Sequence, residues 1–154
     1  MGRPFRIERS AALRASPEAV FAVISDLGRW EAWSPYAAMD PATVSTLSGD
    51  PASVGGSYEW KGPKMGAGRM EITSISPGER VVMKLEFFAP MKATNEATFS
   101  VAPTPSGGTT VTWAMTGERP WAMVVLAMLL RLDRMVEGQF DQGLARLRTL
   151  CDGG

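Results

Sequence analysis

Residues 57–72 read SYEWKGPKMGAGRMEI, and this stretch contains the pattern that decides the fold. Apolar side chains occupy every second position on each side of a glycine-rich centre: Tyr58, Trp60, Met70 and Ile72. Such alternation is typical of half-buried β-strands. The connecting segment 62–68 is short and rich in turn-forming residues, which favours an antiparallel hairpin over a parallel crossover.

Three further segments downstream repeat this period of two. Their apolar positions are Met83, Leu85 and Phe87, then Ala97, Phe99 and Val101, then Val111, Trp113 and Met115. The connections between them contain Pro77-Gly78, Ala89-Pro90 and the segment 103–108, all of which are short turn sequences. The sequence therefore predicts five consecutive strands in an antiparallel meander.

A strand and a short helix are predicted before the meander. Loose apolar alternation over residues 5–13 indicates a half-buried first strand. Ser16 is suited to cap a helix, Pro17 has the backbone angle of a first helical position, and Glu18 complements the positive end of the helix dipole. The apolar spacing that follows predicts a helix that ends at Gly28.

The segment 34–56 is rich in Pro, Ser, Thr and Gly. It is longer than the unstructured connections of most compact domains, and long loops of this kind usually have a function. We expect it to form a rim or lid, interrupted by short turns.

The pattern becomes helical after Pro120. An unbroken helix over 121–150 would be roughly 45 Å long, more than the predicted strands can cover, so we expect a break before about Leu132. The last part has an apolar stripe opposite charged residues: Val136, Phe140, Leu144, Leu147 and Cys151. This stripe predicts a long C-terminal helix that packs on the sheet.

Residues Trp121–Leu130 form the longest apolar run. A helix that crosses a bilayer needs roughly 20 apolar residues, so this run is too short to cross alone. The interpretations are a buried helix, a subunit contact in a homodimer, or a helix that lies on a membrane surface.

Composition excludes several classes of protein. A length of 154 residues favours one domain over residues 1–154. Sixteen basic residues balance sixteen acidic ones without runs of either sign, so no nucleic-acid partner is expected. The chain has no histidine and one cysteine, so we expect neither metal, cofactor nor disulfide. The N-terminus has no apolar secretory region, and a cytoplasmic location is expected.

Five motifs in this order resemble the SRPBCC superfamily, which includes START-like and pollen-allergen-like helix-grip proteins. They are ASPEAVF at 15–21, WEAWSP at 30–35, YEWKG at 58–62, GAGRM at 66–70 and QFDQGL at 139–144. Together they look like a bacterial polyketide cyclase/dehydrase-like member. The resemblance implies an α+β helix-grip fold, with a curved antiparallel sheet of about six strands wrapped around a long C-terminal helix and a cavity between them.

The alternation of the strands assigns each residue to one face of the predicted sheet. The charged residues fall on the face opposite the aromatic residues and methionines, and so point outward: Glu59, Lys61, Arg69, Glu71, Lys84, Glu86 and Glu96. The candidate ligand-binding residues on the inner side are Tyr58, Trp60, Met70, Met83, Leu85, Phe87, Asn95, Phe99, Trp113, Met115 and Gln139. Asn95 is the most informative, because a buried amide needs a polar partner from the protein or from a ligand.

No catalytic residue is assigned. Histidine, the commonest general base, is absent, and the strand carboxylates are predicted on the outer face. Cys151 has no histidine to activate it and is interpreted as an inert residue of the apolar stripe. Trp30 and Trp33 are expected to pack against the end of the sheet, and Gly66 and Gly68 to form a bulged hairpin.

Three functions are weighed. The leading prediction is a binder or carrier of a small hydrophobic molecule, of the lipid, aromatic polyketide or isoprenoid class, in a cavity of several hundred cubic ångströms. The second is a metal-free polyketide cyclase or dehydratase, which an inward-facing Asp or Glu would favour. The third is a protein- or membrane-interaction module that uses residues 121–130.

Overall fold

The alternating segments of the sequence form one antiparallel sheet in the computed structural model, which describes residues 2–153. In chain order the elements are β1 (Arg3–Leu13), α1 (Pro17–Ile24), a 3₁₀ turn (Leu27–Arg29), α2 (Trp30–Trp33), α3 (Pro35–Met39), β2 (Val44–Ser48), β3 (Ser57–Gly62), β4 (Gly66–Ser76), β5 (Arg80–Ala89), β6 (Ala93–Pro103), β7 (Thr109–Arg119), α4 (Trp121–Leu130) and α5 (Leu132–Cys151). The strand order across the sheet is β1-β7-β6-β5-β4-β3-β2. The α+β helix-grip prediction is therefore confirmed.

The described residues form seven strands, one more than the sequence indicated. The additional strand, β2, lies inside the segment 34–56 and pairs with β3 at the edge of the sheet. Four of its five residues are exposed, so it has no buried face to produce an apolar alternation. The remainder of that segment includes the short helix α3, which begins at Pro35 with Ser34 as its cap.

The predicted start of helix α1 is confirmed, but its predicted end is wrong. Ser16 Oγ accepts a hydrogen bond from the Ala19 N–H at 3.3 Å, and Pro17 is the first helical residue. The helix ends at Ile24 instead of Gly28. Asp26 Oδ1 accepts a hydrogen bond from the Gly28 N–H at 2.8 Å and begins a separate 3₁₀ turn.

Helix α5 packs its apolar stripe against the inner face of the sheet. Phe140, Leu144 and Leu147 are all about 1% exposed or less. The Phe140 ring stacks on the Trp113 ring of β7, with 3.9 Å between ring centroids and 8° between planes. Gly143 faces Trp113 and Pro35 so closely that a Cβ there would lie 2.9 Å from each side chain. Because glycine has no side chain, α5 can lie close to Trp113 of the sheet at this position.

The predicted break between the two C-terminal helices is confirmed at Arg131. This residue adopts the left-handed conformation, with φ 52° and ψ 44°, between α4 and α5. Helix α4 is largely exposed, and Ala127 is its one buried residue. Among residues 2–153, no helix has both the length and the apolar character needed to span a bilayer.

The outer face of the sheet carries the charges that the alternation placed there. Arg69 lies among three carboxylates, with its guanidinium 2.6 Å from Glu71, 3.6 Å from Glu59 and 3.9 Å from Glu86. Lys84 lies 3.7 Å from Glu86. These ion pairs are partly or fully exposed to solvent and contribute little to stability individually.

Candidate functional site: an aromatic cavity under the long helix

A cavity of about 250 Å³ lies between the inner face of the sheet, helix α5 and the α2–α3 segment. Nine of the eleven candidate ligand-binding residues line it: Tyr58, Trp60, Met70, Leu85, Phe87, Phe99, Trp113, Met115 and Gln139. Nine further residues complete the lining: Trp30, Ser34, Tyr36, Ala37, Thr43, Met65, Ala97, Val136 and Phe140. The wall is made mainly of aromatic and aliphatic side chains.

Two candidate residues, Met83 and Asn95, lie outside the cavity lining. Met83 is 2% exposed and belongs to the packed core. Asn95 is half-buried, and its Nδ2 atom lies 3.7 Å from Met115 Sδ. Its Oδ1 atom occupies the space where a side chain at Gly117 would be. The polar partner sought for Asn95 is thus a weak sulfur acceptor of the protein.

The aromatic rings of the wall are held by one another. Trp30 lies 5.6 Å from Trp113 and 6.1 Å from Phe99, and Trp60 lies 5.9 Å from Phe87, measured between ring centroids. Tyr36 meets Trp113 edge to face at 6.4 Å. Offset and edge-to-face pairs of this kind fix ring orientations beyond what burial alone does. These contacts orient the rings of the cavity wall relative to one another.

The two tryptophans of the WEAWSP motif differ in what they contact. Trp33 is 1% exposed and packs against Phe99 and Trp113, as predicted for a structural residue. Trp30 packs on the same rings but also lines the cavity. The packing expected of both tryptophans is present, and Trp30 in addition forms part of the cavity wall.

The segment 34–56 is predicted to form a rim or lid, but the sequence pattern indicates none of its wall residues, which are Ser34, Tyr36, Ala37 and Thr43. Ser34 Oγ accepts hydrogen bonds from the Tyr36 and Ala37 N–H groups, which starts α3 in the same Ser-Pro arrangement that starts α1. The Ser34-Pro35 pair is therefore the sequence signal that predicts the start of α3. It brings Tyr36 and Ala37 onto the cavity.

Tyr36 and Tyr58 are the titratable side chains among the cavity-lining residues that the structure describes. Burial raises the pKa of the Tyr36 hydroxyl far above its ordinary value. Burial also raises the pKa of Tyr58, with the charge of Glu31 acting in the same direction and a hydrogen bond with Ser45 opposing both. Both phenols therefore stay protonated at neutral pH and act as hydrogen-bond donors.

A buried carboxylate, Asp40, lies beside the cavity without lining it. Its Oδ2 atom accepts hydrogen bonds from the backbone N–H groups of Lys64 and Met65, at 2.9 and 3.0 Å. The Met65 N–H contributes most to lowering the pKa of Asp40, and burial opposes it. Asp40 thus stays ionised and holds the β3–β4 turn, which places Met65 and the Trp60 indole on the wall.

The bulge predicted at Gly66 and Gly68 is present where this turn enters β4. The pairing of β4 with β5 shifts between Ala67 and Gly68. Gly66 has a φ of 71°, the left-handed region that favours glycine. The Trp60 ring lies where a side chain at Gly68 would be, so the glycine makes room for a wall residue.

A curved antiparallel sheet that grips a long helix around an apolar cavity defines a helix-grip domain. The chain belongs to the polyketide cyclase/dehydrase and lipid transport family, whose sequence model matches residues 4–152. This match confirms the SRPBCC-type resemblance of the motifs.

Solved structures with the same fold come from several organisms. Protein CV1439 of Chromobacterium violaceum is 22% identical, with a TM-score of 0.63 and coverage of 96% of this chain and 97% of that chain. The Aha1 dimer of Colwellia psychrerythraea is 15% identical, with a TM-score of 0.66 and coverage of 96% of each. Truncated norcoclaurine synthase of Thalictrum flavum is 12% identical, with a TM-score of 0.73 and coverage of 97% and 94%. Comparison with curated proteins gave no significant match.

Proposed function

We propose that this protein binds a small, mainly aromatic hydrophobic molecule in the cavity under α5. The observation that carries the proposal is the cavity wall, in which eight aromatic side chains surround an apolar space: Trp30, Tyr36, Tyr58, Trp60, Phe87, Phe99, Trp113 and Phe140. Ring edges and faces in fixed orientations favour a planar ligand, because aromatic pairs gain energy beyond their buried area. The family description, which includes lipid transport, agrees with a hydrophobic ligand.

The cavity volume sets the size of the ligand. An apolar cavity of about 150 Å³ holds one benzene molecule, so by proportion a cavity of about 250 Å³ holds about ten non-hydrogen atoms. This is the size of a bicyclic aromatic molecule. A sterol or a long acyl chain exceeds it, which narrows the lipid, polyketide and isoprenoid classes to their smallest aromatic or cyclic members.

Polar groups at a few points of the wall give the ligand an orientation. The hydroxyls of Tyr36 and Tyr58 are donors, and the Gln139 amide offers both a donor and an acceptor.

A cyclase or dehydratase reaction is the alternative, and it requires a group that removes a proton. None of the lining residues described is an Asp, Glu, Lys or Arg, and both lining tyrosines have pKa values raised by burial. A raised pKa makes a phenol a poor base at neutral pH. The wall therefore supports binding more directly than catalysis.

The test uses 2-naphthol as a bicyclic aromatic probe, with stearic acid and cholesterol as larger comparisons. Isothermal titration calorimetry measures the affinity, and thermal melting reports on stability. A ligand at a hundredfold excess over its dissociation constant stabilises the folded state by about 2.7 kcal/mol. We expect 2-naphthol to bind in the titration and raise the melting temperature, and the larger molecules to do neither.

A matched pair of variants locates the binding to the cavity. Ala37→Leu fills part of the cavity, whereas Ala38→Leu adds the same atoms to the exposed neighbour on α3. We expect Ala37→Leu to weaken 2-naphthol binding at least tenfold and Ala38→Leu to leave it unchanged, with both folded by circular dichroism. Equal binding by the two variants, or no binding by the parent protein, would refute the proposal.

A further inference from the structure

Helix α4 exposes an unusually wide apolar surface. All ten of its residues are apolar, and Trp121, Met128 and Leu129 are 63%, 74% and 76% exposed. The exposed positions extend over about 200° of the helix circumference, at about 100° per residue. Met123, Val124 and Ala127 face the protein on the remaining side. A surface of this kind is a site of interaction with a protein or a membrane.

An arginine-rich cleft of about 560 Å³ lies directly against α4. Its charged lining residues are Arg3, Arg119, Arg131, Arg134 and Asp133, which gives four positive charges and one negative, a net of +3. Asp133 neutralises Arg119 at 2.7 Å. Within the described residues, Arg131 and Arg134 form no ion pair. Glu118 lies on the opposite face of β7, by the alternation of that strand.

The cleft lies beside α4 on its protein-facing side and meets the exposed apolar surface at Met128. Val124, Ala127 and Met128 of α4 line the cleft. The Arg3 guanidinium lies 5.4 Å from the centroid of the Trp121 ring, at the start of α4. At the other end, Arg131 follows the last residue of the helix. Cationic side chains thus lie at both ends of the exposed apolar surface.

From this arrangement we infer that α4 and the arginine cleft dock the protein onto the surface of an anionic lipid bilayer. Helix α4 lies in the interface with its apolar side chains among the acyl chains, as interfacial helices do. Trp121 takes the interfacial position that tryptophan favours. The arginines bind lipid phosphates, and each basic residue near an anionic surface strengthens binding about fivefold. The inference is independent of the ligand proposed for the cavity.

Charge complementarity favours a bilayer over a second copy of the chain. A two-fold dimer through the exposed face of α4 buries the same face of both copies, with the arginines at the two ends of the helix beside it. Arg3 and Arg131 of both copies would then lie at one interface, and like charges at an interface oppose association. An anionic bilayer supplies the opposite charge and also adapts to a wide convex helix.

The test is co-flotation of the full chain with vesicles of phosphatidylcholine, with and without 30% phosphatidylserine. We expect binding to the anionic vesicles at least tenfold tighter than to the neutral ones, and weaker with added salt because exposed charges are screened. The double variant Met128→Ser/Leu129→Ser should lose at least tenfold in affinity. Both positions are so exposed that the fold should be unaffected, which circular dichroism checks.

A matched pair of double variants distinguishes the effect of the cleft arginines on vesicle binding from the effect of a lower net charge. Arg131→Gln/Arg134→Gln should weaken binding to the anionic vesicles about 25-fold, as two residues at about fivefold each. Arg146→Gln/Arg148→Gln removes the same charge from exposed positions farther along α5 and should have little effect. Equal losses in the two variants would overturn the inference. So would a dimer in analytical ultracentrifugation that the Met128/Leu129 variant dissociates while the parent protein binds no vesicles.

Discussion

The two C-terminal helices differ in a way that composition does not predict. Helix α4 has ten apolar residues and is mostly exposed, whereas α5 carries charges along much of its length and supplies a buried face of the core. They are separated by a single residue, Arg131. The contrast shows that the arrangement of apolar residues around a helix, more than their number, decides which helix is buried.

The reason is that a sheet covers only one side of a helix. In α5 the apolar side chains coincide with that side, so Phe140, Leu144 and Leu147 are buried while the charges remain in water. Helix α4 is apolar on every side, so whichever side packs, the others stay exposed. Substitutions in the two helices should therefore have different effects on stability.

Truncating a leucine should distinguish the helices most strongly. Leu144→Ala removes a side chain that is 1% exposed and should lower the free energy of unfolding by about 2–5 kcal/mol, through lost burial and the cavity left behind. Leu129→Ala removes one that is 76% exposed and should change it by less than about 0.5 kcal/mol. Urea denaturation measures both. Similar losses would mean that α4 is buried in solution.

A second pair of variants tests how closely α5 approaches the sheet. Gly143→Ala places a Cβ 2.9 Å from the Pro35 and Trp113 side chains and should destabilise the protein by about 1–3 kcal/mol. Gly138→Ala, on the same helix, meets nothing within 4 Å and should stabilise it by roughly 0.5–1 kcal/mol through helix propensity. Thermal melting gives both signs. Stabilisation by both would contradict the close packing of α5.

A glycine at the junction between the helices should stabilise the protein, whereas a glycine inside α5 should destabilise it. Arg131 has a φ of 52°, which is unfavourable for a residue with a side chain, so Arg131→Gly should stabilise the protein by roughly 0.5–1 kcal/mol. Arg134→Gly, inside α5, should cost about 1 kcal/mol. The two midpoints of denaturant unfolding should therefore move apart. A loss at both positions would mean that the helices continue without a left-handed residue.

The smallest effect concerns pH at the end of α5. The Asp152 carboxylate accepts hydrogen bonds from the Arg14 N–H at 3.1 Å and the Ala15 N–H at 2.9 Å. Chiefly the Arg14 N–H lowers the pKa of Asp152, although burial opposes this. Because the folded pKa lies below the unfolded one, near 3.9, the stabilisation is complete above that value and is lost as the pH falls through the folded pKa.

Asp152→Asn should therefore lower stability at neutral pH, and the difference from the parent protein should shrink below about pH 4. Helix α4 has no titratable side chain, so truncations there should show no such trend. Thermal unfolding over a range of pH measures both. If the stability difference between Asp152→Asn and the parent protein stayed constant down to low pH, the charge of Asp152 would contribute nothing to stability.

Part of the candidate site could be predicted because strand alternation assigns side chains to faces. Tyr58, Trp60 and Phe87 were placed on the inner face from their period of two, and they line the cavity. Alternation does not say which inner residues meet empty space. Met83 is on that face but is covered by other core side chains, and Asn95 lies beside Gly117 outside the cavity.

The amino-acid sequence by itself determined the order of six of the seven strands, the Ser-Pro start of α1, the break near Arg131 and the division of the sheet into charged and apolar faces. These features depend on neighbouring residues, on helical or strand period and on capping, all of which are local. Only the tertiary structure decided that Trp30, Tyr36 and Thr43 close the cavity, that β2 forms an edge strand and that α4 stays exposed. These outcomes depend on contacts between distant segments, for which a single sequence contains no periodic signal.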